Sequence, residues 1–235
     1  MKVIKAKNYM DLSKKAAIIM AAQVINNPRS VLGLATGSTP EGLYLELANL
    51  SKEGLLDFEE IKTFNLDEYY GLTSEHPQSY HHFMREKLFQ YINIKDENIH
   101  IPDGSTTNPE EECNRYEDMI RQSGGIDLQL LGIGRNGHIG FNEPSTDFSN
   151  QTDLVNLTED TIEANQRFFE TKDEVPKKAI SMGIKTIMQA KKVLLIASGA
   201  DKKDALERTI NQPVTPEVPA SILQFHPDVT ILYCD

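Results

Sequence analysis

Short apolar runs alternate with amphipathic stretches along this chain, and that alternation limits the fold more than any other feature. Residues 31–35 (VLGLA), 60–66 (EIKTFNL), 126–133 (IDLQLLGI), 193–198 (VLLIAS) and 229–233 (VTILY) read as strands. Between them, residues 12–26, a stretch starting near Pro40, residues 79–91 and a segment after Gly199 read as helices. Asn108-Pro109, followed by Glu110, Glu111 and Glu112, marks another helix start: an N-cap, a first-turn proline and acids at the positive end of the dipole. Strands separated by helices predict an α/β fold with a mostly parallel sheet covered on both faces. Right-handed connections bring the carboxyl ends of such strands to one rim, where ligands bind. Polar motifs should therefore follow strands, and four do.

After the first strand comes Thr36-Gly37-Ser38-Thr39-Pro40. Small residues let several N–H groups face one anion while the next helix adds its dipole. No Lys follows the glycine, which disfavours a nucleotide triphosphate and favours a phosphomonoester. The plain alternative is a turn capped by Ser38 or Thr39. The second motif, Asn65-Leu66-Asp67-Glu68-Tyr69, sets two carboxylates at a strand end. On extended chain they face opposite ways, so one of them can serve as an inward-facing base. The residues themselves do not choose between Asp67 and Glu68, and a solvated acidic turn is the plain alternative.

The third motif is Gly132-Ile133-Gly134-Arg135-Asn136-Gly137-His138-Ile139-Gly140-Phe141-Asn142-Glu143-Pro144. Its glycines leave room for a ligand, His138 suits a proton shuttle near neutrality, and Glu143 can orient the ring or stabilise its cation. Gly132, Gly134 and Gly137 have dinucleotide-loop spacing, but Asn142-Glu143-Pro144 interrupts the helix that such a site needs. The fourth is Ser198-Gly199-Ala200-Asp201-Lys202-Lys203. A lysine in a first helical turn opposes the dipole unless an anion sits there, so Lys202 or Lys203 is a candidate phosphate ligand.

Bulk properties remove several classes of function. A formal net charge of −11 opposes general nucleic-acid binding. No apolar run is long enough to span a bilayer, and Lys2-Val3-Ile4-Lys5 followed by polar residues lacks the core of a signal peptide. Cys113 and Cys234 form no Cys-x-x-Cys pair, and His76, His81 and His82 lack the spacing of a helical zinc site. No metal is expected, and the cysteine usage suits a reducing, cytoplasmic setting. The polar stretch from Ser145 to Glu163 follows the histidine loop as a candidate mobile lid, taken as residues 145–170.

Together LGLATGSTP (32–40), FNLDEYYG (64–71), GIGRNGHIGFNEP (132–144), ANQRFF (164–169) and SGADKK (198–203) resemble the glucosamine-6-phosphate deaminase family over essentially the whole chain. The resemblance implies one domain over residues 1–235 with a modified Rossmann-like, three-layer α/β/α fold. It also implies cofactor-free conversion of glucosamine 6-phosphate and water to fructose 6-phosphate and ammonia. Matched by position, Asp67 takes the place of the enolisation base, His138 that of the ring-opening acid and base, and Glu143 that of its supporting carboxylate. Asn136 stands where many relatives carry Asp; it cannot offset charge on an imidazolium, so Glu143 should carry most of that role. Ser38, Thr39, Arg167 and Lys202 match the phosphate-binding positions, with Thr36 and Gly37 shaping the loop. Asp153 and Val155 replace the basic effector contacts of larger allosteric relatives, so no activation by N-acetylglucosamine 6-phosphate is expected. The expected partner is the small-molecule substrate glucosamine 6-phosphate, with no nucleic acid and no membrane. The alternatives are a 6-phosphogluconolactonase-like hydrolase and a non-catalytic sugar-phosphate sensor.

Overall fold

A computed structural model describes residues 1–166, 169, 171 and 174–235, with only the backbone of Ala164. Seven parallel strands form the main sheet in the order β1-β10-β9-β6-β2-β3-β5. They are β1 (Lys2–Lys5), β2 (Val31–Leu34), β3 (Lys62–Asn65), β5 (Ile99–His100), β6 (Leu128–Leu131), β9 (Val193–Ser198) and β10 (Val229–Cys234). A second sheet, in the order β4-β8-β7, is antiparallel and built from β4 (Asp67–Tyr69), β7 (Asp153–Asn156) and β8 (Lys178–Ser181). Every residue of β2 and β6 is buried, as expected of central parallel strands covered on both faces.

The helices follow from local signals. In α1 (Tyr9–Asn26) the Asn8 side chain accepts the amide of Asp11, whose carboxylate in turn accepts the amide of Lys7. Helix α2 (Glu41–Lys52) starts after Pro40, and α4 (Pro109–Gln122) starts at the expected Asn108 cap with Pro109 inside. The expected helix over 79–91 is shorter: α3 spans Tyr80–Lys87, Leu88 leaves helical geometry, and a 3-10 turn covers Phe89–Tyr91. After β7 and β8 come α5 (Glu159–Asn165) and α6 (Ile184–Met188), and α7 (Lys203–Asn211) links β9 to β10.

Chain direction fixes the layers. The connections β1-α1-β2 and β2-α2-β3 step one way along the sheet, while β5-α4-β6 and β9-α7-β10 step the other. With right-handed crossovers, α1 and α2 cover one face and α4 and α7 the other. The reversal falls between β2 and β6, so the loops after those two strands open onto the crevice where the strand order turns. The Tyr116 ring of α4 packs edge-on against Phe64 of β3, and its hydroxyl donates to the carbonyl of Asn65 at 2.7 Å. Both cysteines are free and buried.

Between the sheets Leu66 acts as a hinge in the chain path. Its amide donates to Leu34 of the main sheet, while its carbonyl accepts from Met182 after β8. The next residue, Asp67, is already in the small sheet. Among the described residues no helix is long and apolar enough to cross a membrane.

Candidate active site

The two adjacent carboxylates divide their roles by strand geometry. Glu68 turns toward α3: its Oε1 accepts the amides of Tyr69 (2.8 Å) and Tyr80 (2.9 Å), and Oε2 accepts the amide of His81 (3.0 Å). His81 Nδ1 lies 2.9 Å from the same Oε2. Asp67 faces the other way. It is 6% exposed, and among the described residues its carboxylate has no hydrogen-bond partner. Burial, helped by the charge of Glu68, pushes the Asp67 carboxyl up to about 8. The two carboxylates thus differ in surroundings: Glu68 is tied to backbone amides, and Asp67 is buried without a partner among the described residues.

The histidine loop passes against Asp67. Ser181 of β8 sits opposite Asp67 in the antiparallel pair, and its hydroxyl accepts the amide of Phe141 at 3.1 Å. Asn142 Nδ2 donates to the carbonyls of Ile139 and Met182 at 2.8 and 2.9 Å. These contacts join the loop to the small sheet at the level of Asp67. Gly140 adopts φ +57, and a Cβ there would lie 3.6 Å from Asp67 Oδ2. Gly134 is required by close approach, since a Cβ would meet the His138 ring at 2.3 Å.

His138 and Glu143 pair within this loop, with Nδ1 3.2 Å from Oε2. Asn136 Nδ2 donates to the same Oε2 at 2.8 Å, and Asn136 Oδ1 accepts the His138 amide at 3.1 Å. Thr158 and Thr161 donate their hydroxyls to the other oxygen of Glu143. Burial would push Glu143 up, but the contacts from His138, Thr161 and Asn136 outweigh it and hold the carboxyl at about 2. The acceptor Glu143 therefore stays charged across the neutral range beside an imidazole whose other nitrogen, Nε2, is left for chemistry.

The expected phosphate loop opens on the same rim. Helix α2 has Pro40 at its N-cap and no side-chain cap, so Ser38 and Thr39 do not serve as the turn's caps. Their hydroxyls make no hydrogen bond among the described residues, whereas the loop backbone is braced by Tyr9, whose hydroxyl donates to the Ser38 carbonyl at 3.1 Å. Thr36 interacts through its hydroxyl with Tyr80. After β9, Lys202 is half-buried at the N-cap of α7 while Lys203 is exposed. Arg167 lies outside the described residues, so the structure says nothing of its part.

Reasoning from sequence missed Ser181, Tyr80, Thr158 and Thr161. The two threonines lie in the polar stretch read as a lid. Ser181 gave no local signal, because it matters only through its register opposite Asp67. An aromatic group made of Tyr69, Tyr80 and Phe141 packs β4, α3 and the histidine loop together, with ring centroids 4.7 to 6.3 Å apart. Two surface grooves of about 950 and 460 Å³ contain none of Asp67, Asn136, His138 or Glu143. Volume alone does not locate chemistry here. Among the described residues no cluster of three His, Cys, Asp or Glu could hold a metal.

A buried carboxylate without a partner and a carboxylate-held imidazole at one rim of a parallel α/β sheet are the parts of an acid–base site, the class of enzyme this geometry defines. Residues 5–231 match the family model described as glucosamine-6-phosphate isomerases/6-phosphogluconolactonase, and the chain belongs to that family. It is 59% identical over 234 residues to a glucosamine-6-phosphate deaminase of Lachnoclostridium phytofermentans, covering 100% of this chain and 99% of the relative. With a glucosamine-6-phosphate deaminase of Clostridium botulinum (strain Kyoto / Type A2) the identity is 57% over 232 residues, 99% and 95% of the two chains. A solved structure of a monomeric glucosamine-6-phosphate deaminase superposes with a TM-score of 0.97 at 47% identity, covering 100% and 97%. The 6-phosphogluconolactonase of Thermotoga maritima, at 21% identity and a TM-score of 0.77 over 99% and 98%, shares the fold.

Proposed function

We propose that this chain converts glucosamine 6-phosphate and water to fructose 6-phosphate and ammonia. The observation that carries this reading is Asp67: a buried carboxylate without a partner, set against the loop of His138 and Glu143. A base so placed suits removal of a proton from carbon, which lactone hydrolysis does not require.

Ser38, Thr39 and Lys202 hold the substrate phosphate, with Thr36 and Gly37 shaping the loop; Arg167 is assigned there by sequence alone. His138 moves a proton between the anomeric hydroxyl and the ring oxygen, and Glu143 stabilises the imidazolium that forms in transit. Once the sugar is open, ionised Asp67 takes the proton from the second carbon, giving an enolamine. It then returns a proton to the first carbon, which leaves an iminium at the second. Water adds to that iminium, and the amine departs as ammonia. The steps are ring opening, proton transfer, addition of water and loss of ammonia, none of which needs an external oxidant, so no cofactor is invoked.

Residues 1–235 act as one domain in this reading. The polar stretch from residue 145 serves as a lid whose Thr158 and Thr161 reach Glu143, and residues 167, 168 and 170 of the expected 145–170 lie outside the described residues. The protein works in the cytoplasm on a free small molecule. Ammonia release from glucosamine 6-phosphate, compared with hydrolysis of 6-phosphogluconolactone, tests the assignment. Lactone hydrolysis without ammonia would overturn it in favour of the hydrolase.

A further inference from the structure

Glu68 contributes more to this region than its neighbour's catalytic assignment explains. It is 1% exposed, and its carboxylate receives three backbone amides and faces one imidazole nitrogen. Two of those amides, from Tyr80 and His81, are the first two of α3, which no helical carbonyl can satisfy. Ser79 Oγ takes the next, from His82. One carboxylate thus joins the start of α3 to the middle of β4, whose far edge is hydrogen-bonded to β8. The loop at Gly104 closes over it; a Cβ there would meet Tyr69 O at 2.1 Å and Glu68 Cγ at 3.0 Å. Asp67 therefore sits in a strand tied to β8 along one edge and, through Glu68, to the start of α3.

We propose that Glu68 is a positioning residue for the reaction. Anchored on α3, it fixes the strand that aims Asp67 into the site, and its negative charge makes Asp67 a stronger base. This rests on the assignment of Asp67 as the enolisation base. The groups around Asp67 are Glu68 and Tyr69 on β4, Tyr80 on α3, Tyr116 on α4, Ser181 on β8 and the backbone of Gly140. Among these described neighbours none is a cation. Burial and the charge of Glu68 act on Asp67 in the same direction. His81 is the basic group facing Glu68, and its side chain is about one-third exposed, at 32%.

The pH profile of kcat/KM for ammonia release, with thermal melts, tests this in wild type and two variants. Glu68→Gln keeps the shape and the acceptor for Tyr69 and Tyr80 but loses the charge. The acidic limb should move to lower pH by ~1 unit or less, since burial is the larger cause of the raised value, while the alkaline plateau falls because the base is weaker. His81→Lys leaves Glu68 and its backbone bonds in place and sets a fixed cation beside them, so the limb should move the same way. This variant decides the matter if Glu68→Gln does not fold. A folded variant that loses rate equally at every pH, with the limb unmoved, assigns Glu68 a purely structural part and overturns the proposal. A wild type that releases no ammonia instead defeats the deaminase assignment itself.

Discussion

Asn136 donates its Nδ2 to Glu143 at 2.8 Å, on the same oxygen that stands 3.2 Å from Nδ1 of His138. The amide is neutral, so a single full negative charge supports the imidazole. Asn136→Asp would place a second carboxylate in that pair. The added charge should favour the imidazolium and move the basic limb of kcat/KM up by roughly 1 unit. A pH–rate profile of the variant checks this, and an unmoved basic limb would mean that residue 136 acts by position and not by charge.

Asp67→Asn should bind substrate within a few-fold of wild type yet lose turnover by ~10²–10⁴, the usual contribution of a placed base. Ligand titration beside the ammonia assay separates the two effects. Near-normal turnover would remove Asp67 from the mechanism.

The same residue makes stability depend on pH. Its folded value of about 8 lies above the ordinary 3.8, so the folded state holds this proton more tightly. The resulting stabilisation is complete below the ordinary value and is lost as pH rises through the folded one. Asp67→Asn carries no such burden, so its melting temperature relative to wild type should climb across that window, by roughly 2–4 °C per kcal/mol. Melts at the two ends of the window check the sign; a constant difference would contradict it.

His138→Gln should slow use of the cyclic sugar more than release of the second-carbon proton from an open-chain analogue. Ring opening needs a group that both gives and takes a proton, and an amide does neither well. Isotope exchange from the open-chain analogue gives the second rate. Equal losses on both would move His138 out of ring opening.

Lys202→Met should raise KM by at least about tenfold with a smaller change in kcat, since phosphate contacts act alike in ground and transition states. Lys203→Met should leave both near wild type, because its side chain is exposed while Lys202 is half-buried at the start of α7. Steady-state kinetics of the pair decide, and the reverse pattern would reassign the ligand.

Local information was enough for much of the fold and for the outline of the site. The run VLLIAS is β9 residue for residue, and Asn108-Pro109 opens α4 as its capping chemistry requires. The strands that escaped notice are short and poor in apolar alternation. Lys2–Lys5 forms an edge strand whose residues are mostly exposed, and Asp153–Asn156 carries polar residues at both ends. Such segments become strands because a partner is present, not because of their own composition.

Sequence by itself determined which loops follow the strands with polar, glycine-rich motifs, because turn residues, glycines and hydrophobic period act over a few neighbours. Only the tertiary structure distinguished the surroundings of Asp67 and Glu68, the difference on which the proposed choice of base rests. Adjacent carboxylates are alike until one meets the amide donors of α3 and the other is buried without any. It also brought Ser181 opposite Asp67 and two threonines onto Glu143. Those contacts span 15 to 114 residues of chain, a separation that no local pattern encodes.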